Sequence, residues 1–120
     1  MIIDSHVHLD NRHSDSLTDA ISGLERQILD SGISHVILLH LENQGWSPES
    51  FSQAIAVKPN IHAFINIHPD DPRSIALLTD AVTRLGFVGL KLHPKLHRFN
   101  IESQSTIRLI SHAGDLGIPT

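Results

Sequence analysis

Residues 2–9 read IIDSHVHL: Ile2, Ile3, Asp4, Ser5, His6, Val7, His8 and Leu9. The stretch has the look of a strand, with Ile3, Val7 and Leu9 on one face and Asp4, His6 and His8 on the other. Two imidazoles two residues apart on a strand point the same way and can hold one metal ion through neutral nitrogens. Asp4, earlier on that face, is a further candidate ligand or a carboxylate that orients a histidine. A pair of structural histidines is the other reading of the same spacing. The rest of the chain decides between them.

Working outward, the same alternation recurs four times. Ser16 caps a helix, with Asp19 three residues on and Leu17, Ala20, Ile21, Leu24 and Ile28 at helical spacing until Gly32. ISHVILLH (33–40) is a second strand, and Ser47-Pro48 opens a second helix through Phe51, Ala54 and Ile55. IHAFINIHP (61–69) is a third strand. Asp71-Pro72 starts a third helix, with Ile75, Leu78, Val82 and Leu85 inward and Gly86 ending it. FVGLKLHP (87–94) is a fourth strand, and a fourth helix runs from about Glu102 with Ile107 and Ile110 inward. Strands alternating with helices imply βαβ units and a parallel sheet, an α/β fold. GIPT (117–120) reads as the start of a fifth strand, so the expectation is one domain over 1–120 that stops before strand five.

Each strand ends near a histidine: His8, His40, His68 and His93. In parallel α/β folds the carboxyl ends of the strands form the rim where ligands bind. Alternation places His62, Asn66 and His68 opposite Ala63, Ile65 and Ile67, and places Gly89, Lys91 and His93 opposite Val88, Leu90 and Leu92. An inner face so polar suits a site rather than a dry core. His40, His68, Lys91 and His93 are therefore substrate-pocket candidates. His13, His97, Lys95 and Arg98 fall in loops of the same rim. His35 and His62 begin strands and read as solvated or core-packed, and His112 as structural. Trp46 either lines the pocket or caps the barrel.

Composition narrows the classes. The chain has 120 residues, 40% hydrophobic and 18% charged, in the range of a globular domain. A net charge of -4 gives no basic footprint for nucleic acid and no membrane-surface patch. No apolar run is long enough to span a bilayer, and Asp4 and His6 interrupt the apolar start, so no signal peptide is expected and a cytoplasmic location is. Without cysteine, neither disulfides nor a thiolate metal site can form.

IIDSHVHL (2–9), GFVGLKLHP (86–94) and AGDLGIPT (113–120), in this order, resemble the amidohydrolase superfamily, in particular its amidohydrolase-related branch of metal-dependent hydrolases and decarboxylases. The resemblance implies a TIM-type (β/α)8 barrel of which this chain supplies the (β/α)4 half. It makes His6 and His8 ligands of a divalent metal, zinc foremost, with manganese or iron open. It sets Lys91 either as a carboxylated bridging ligand or, as the following LHP suggests, as a residue facing the substrate pocket beside His93. Further histidine ligands and a proton-shuttling aspartate are expected beyond residue 120, so no catalytic residue is assigned within the chain.

The implied activity is attack of a metal-activated water on a C–N or C–O bond of a small molecule. That activity is expected to be missing or incomplete in these residues alone. A decarboxylase, or a phosphoesterase with the same Asp-x-His-x-His opening, shares the scaffold. The non-enzymatic alternative is a half-barrel that binds metal or pairs with itself through open sheet edges.

Overall fold

The structure, a computed structural model, describes residues 1–10, 12 and 16–120. Four parallel strands, β1 (Ile3–Val7), β2 (His35–Leu39), β3 (Ile61–Asn66) and β4 (Gly89–Lys91), lie side by side in chain order. Between and after them come α1 (Leu17–Ser31), α2 (Pro48–Ile55), α3 (Ser74–Thr83), a short α4 (Pro94–His97) and α5 (Gln104–Asp115). A 3-10 turn covers Glu42–Gln44. The α/β fold with a parallel sheet is as the sequence predicts.

The helix boundaries follow from local chemistry. Ser16 accepts a hydrogen bond from the Asp19 backbone at the start of α1, and Gly32, at φ 67°, closes it in the left-handed conformation. Ser47 caps α2 with Pro48 in its first turn. Ser103 caps α5 by accepting from the Thr106 backbone. Two expectations are corrected. α3 begins at Ser74 rather than at Asp71-Pro72, because the Asp71 carboxylate is taken by the Arg73 backbone N–H and guanidinium in a turn before the helix. In α5 the inward residues are Thr106, Leu109 and Ala113, while Ile107 is 56% exposed.

The core lies between the sheet and its helices. Val36, Leu38, Ala63, Ile65, Ile67 and Leu90 meet Ile21, Leu24 and Ile28 of α1, Phe51 of α2, Leu78 and Ala81 of α3, and Leu109 and Ala113 of α5. Each fully buried large aliphatic or aromatic side chain there contributes on the order of 1.5–3 kcal/mol. The other face of the sheet carries His62, Phe64 and Lys91, each only partly buried, beside the buried Asn66.

The sheet departs from a regular ladder at both of its edges. In β1 the pairing runs Ile3 with His35, Asp4 with Val36, then Val7 with Leu38, so β1 spends one more residue than β2 and bulges between Asp4 and Val7. Strict alternation of Asp4, His6 and His8 is therefore corrected: Asp4 sits level with Val36, a core residue. At the far edge, the Leu90 N–H donates to the Pro119 carbonyl at 2.9 Å, so the GIPT segment lies along the free side of β4. Among the described residues no helix is long and apolar enough to cross a membrane.

Candidate metal and substrate site

The two histidines of the opening motif, on either side of Val7, come together. His6 Nε2 and His8 Nε2 are 3.1 Å apart, with ring centres 5.0 Å apart and planes at 76°. Two nitrogens bound to one tetrahedral zinc at about 2.0–2.1 Å would stand about 3.3 Å apart, so the pair has the spacing a shared ion requires. Asp4 does not reach either ring: its Oδ1 accepts from the His6 backbone N–H at 3.1 Å, within the bulge. Its part is to hold the turn of chain that presents His6.

Lys91 and His93 complete the neighbourhood. Partial burial holds the His8 imidazole below its ordinary pKa, and the charges of His6, Lys91 and His93 push the same way, against a hydrogen bond to the Leu39 backbone that raises it. The neutral ring so favoured is the form that binds a metal, and a ring that donates to a backbone carbonyl is fixed in tautomer and direction. His93 accepts from the Leu96 backbone N–H through Nδ1 and so starts α4, which leaves Nε2 as its remaining ring nitrogen for the rim. A cavity of about 350 Å³ on the polar face is lined by Ser5, His6, Phe64, Lys91 and Thr120, among others. Ser5 and Phe64 were not singled out in the sequence. Phe64 shares parity with His62 and Asn66, which was the available signal, whereas Ser5 has the opposite parity to Asp4 and His6 and lies within the bulge of β1.

The other rim candidates lie elsewhere. His40 is 2% exposed and sits on the helix side of the sheet, edge-on to Phe51 and Phe87, with Nε2 bonded to the Trp46 carbonyl at 3.0 Å. It is corrected from the polar inner face to the helix layer, where it packs in the core and, with Trp46, lines a cavity of about 410 Å³ between α2 and α3. His68 uses both ring nitrogens: Nδ1 accepts from the Asp70 backbone and Nε2 donates to the His97 carbonyl at 3.0 Å. His97 and Phe99 pack against it, and burial lowers the His97 pKa. His68 is thus a pin between β3 and the loop after β4. His112 bonds Thr79 at 2.7 Å and ties α5 to α3 as a structural residue. Lys95 and Arg98 are exposed on the rim. His13 falls outside the described residues.

Among the described residues no group of three or more histidine or acidic side chains is placed to hold a metal ion. The arrangement is of two imidazoles at the spacing of a shared ion, Lys91 and His93 near them, and a cavity alongside.

No protein-family model matches the chain, and no curated protein sequence does. One solved structure is similar: that of a probable 2-pyrone-4,6-dicarboxylic acid hydrolase from Acinetobacter baumannii with citric acid bound, at a TM-score of 0.68 and 15% sequence identity. The match covers 98% of this chain and 47% of the other, so the chain spans about half the length of that protein and shares its fold over that half.

Proposed function

We propose that these residues form the (β/α)4 half of a barrel hydrolase of the amidohydrolase-related type, with His6 and His8 as its first two metal ligands. The observation that carries the reading is the 3.1 Å separation of His6 Nε2 and His8 Nε2 at the carboxyl end of β1, beside Lys91 and His93. Four units in chain order that match 47% of a hydrolase support the half-barrel. So does the Pro119 carbonyl on the open side of β4, where a fifth parallel strand would lie. The same hydrogen bond weighs against self-pairing through that edge, because part of it is already in use.

A divalent ion, zinc foremost, would supply an acidified water and polarise a carbonyl. The chain's own residues would bind and orient: His6 and His8 hold the ion as neutral imidazoles, and Asp4 fixes the His6 backbone. Lys91 offers an ammonium at the inner wall, and Lys95 and Arg98 add positive charge at the mouth. The similar structure is of a protein named for a dicarboxylic acid and holds citric acid. Those cations suit a small substrate that carries carboxylates in the same way.

The test is to equilibrate the chain with zinc and count bound ions by native mass spectrometry. One ion per chain should be lost in His6→Ala and again in His8→Ala. A metal count unchanged by both substitutions sinks the reading.

A further inference from the structure

A second pair of imidazoles meets at the opposite end of the sheet. His35 opens β2 and His62 is the second residue of β3; His35 Nδ1 and His62 Nε2 are 3.2 Å apart. Their ring centres are 5.3 Å apart and their planes 28° from parallel. These distances are close to those of the His6–His8 pair, 3.1 Å and 5.0 Å. Two imidazoles on one tetrahedral ion would place their ring centres about 5 Å apart, by the same bond lengths. We propose that His35 and His62 form a separate, solvent-exchanging site for a divalent ion of the zinc type, at the amino-terminal end of β2 and β3.

Geometry keeps this site apart from the first. Ile3 is the residue level with His35, and His6 stands three residues further along β1, on the order of 10 Å away at the usual rise of a strand. One ion cannot bridge both pairs. Both rings are half-buried, so water reaches them while the strand backbone limits their movement.

The surroundings do not oppose a cation. A cavity of about 410 Å³ opens beside His62, with Lys58 and Arg84 in its wall. The Lys58 ammonium is paired with Glu25 at 2.8 Å, and Arg84 is paired with Asp80 and Glu49. Their charges are therefore matched outside the histidine pair.

No third histidine or acidic ligand joins among the described residues, so water completes the coordination shell. Such a site binds less tightly than a four-ligand structural zinc centre and exchanges its ion readily. Nitrogen ligands select borderline ions such as zinc over magnesium or calcium. The proposal does not rest on the reading of His6 and His8.

The experiment uses the His6→Ala/His8→Ala double variant of the full chain, titrated with zinc chloride and followed through the imidazole nitrogen resonances. The expected result is a saturable shift of His35 Nδ1 and His62 Nε2 at one equivalent of zinc. Zinc affinity should fall at least tenfold when His62→Ala or, separately, His35→Ala is added, with magnesium producing no shift. Either substitution serves if the other fails to fold, as judged by circular dichroism. Resonances that do not move under excess zinc, or uptake indifferent to both substitutions, would mean that the pair is only a ring-to-ring hydrogen bond. That result overturns the site and leaves the His6–His8 assignment untouched.

Discussion

The ring of Phe64 occupies the space that a side chain on Gly89 would fill: a Cβ built there would stand 2.3 Å from Phe64 Cε1. The two residues are neighbours in register on β3 and β4, and the ring lies over the bare backbone. Gly89→Ala must therefore push the ring aside. The expected cost is about 1–3 kcal/mol, as for overpacking in other cores. Urea denaturation checks it, and combining Gly89→Ala with Phe64→Ala should give a loss smaller than the sum of the two.

Asn66 holds the other end of the same strand pair. It is 1% exposed, and its Nδ2 donates to the Lys91 carbonyl at 3.0 Å. β4 has only three residues, so this bond is a large share of what fixes it. Asn66→Ala should cost about 1–3 kcal/mol through the carbonyl left without its donor. Asn66→Asp should cost more, because it buries a charge facing a carbonyl oxygen. Both are read from denaturant midpoints at neutral pH.

Acid should weaken the fold in part through His40. Burial lowers its pKa below the ordinary value of 6.5, while the Trp46 carbonyl and Glu42 act in the opposite direction. With Nε2 donating to Trp46, Nδ1 is buried without a partner among the described residues, and a proton added there would have no acceptor among them. A group whose folded pKa is depressed contributes stability fully present above its unfolded pKa. That stability is lost as pH falls from 6.5 through the folded pKa. His40→Leu should flatten the stability profile below pH 6.5, measured by thermal unfolding at a series of pH values. An unchanged profile would exclude His40 as a source of the acid sensitivity.

Lys91 separates two roles that the motif leaves open. As an ammonium, Lys91 is near enough to His8 to lower its pKa by like-charge repulsion, which a carboxylated lysine would not do. Lys91→Met should therefore leave zinc affinity unchanged or raise it a few-fold by removing a like charge. A bridging ligand would instead lose affinity on the order of 10–100-fold or more, since even partners outside the ligand set have effects of that size. Zinc competition against a chromophoric chelator distinguishes the outcomes.

The cap of α1 offers a calibration far from the site. Ser16 Oγ accepts from the Asp19 backbone at 3.1 Å, and Ser16→Ala should cost about 1 kcal/mol, while Ser16→Asp should cost little. Zinc binding should not change with either, which separates loss of stability from loss of the site.

Most of the architecture was legible because each element carries its own signal. Ser16 and Gly32 bracket α1, Ser47-Pro48 opens α2, and the aliphatic side of each strand repeats every second residue. What was not legible depends on partners distant in sequence. The bulge in β1 exists only against β2, and no pattern within residues 2–9 announces it. α4 begins at Pro94, where the sequence reads as the tail of a strand; the turn depends on His93 folding back to accept from Leu96. The face of His40 could have been read, since it shares parity with Val36 and Leu38, but its place at a strand end pointed to the rim instead. The His6–His8 pair was legible from spacing, whereas the His35–His62 pair comes from two strands whose register the sequence does not state.

The strand order has a consequence for how the chain folds. Ile3 meets His35, Val36 meets Ile61 and Asn66 meets Lys91, so each ladder joins segments about 25–32 residues apart and no pairing skips a neighbour. Assembly can then advance like a zipper, one strand-and-helix unit docking on the last, and each loop closed is of similar entropy. A weak unit at the margin frays alone, but a weak β2 or β3 severs the chain of contacts into two pieces that no other ladder among the described residues reconnects.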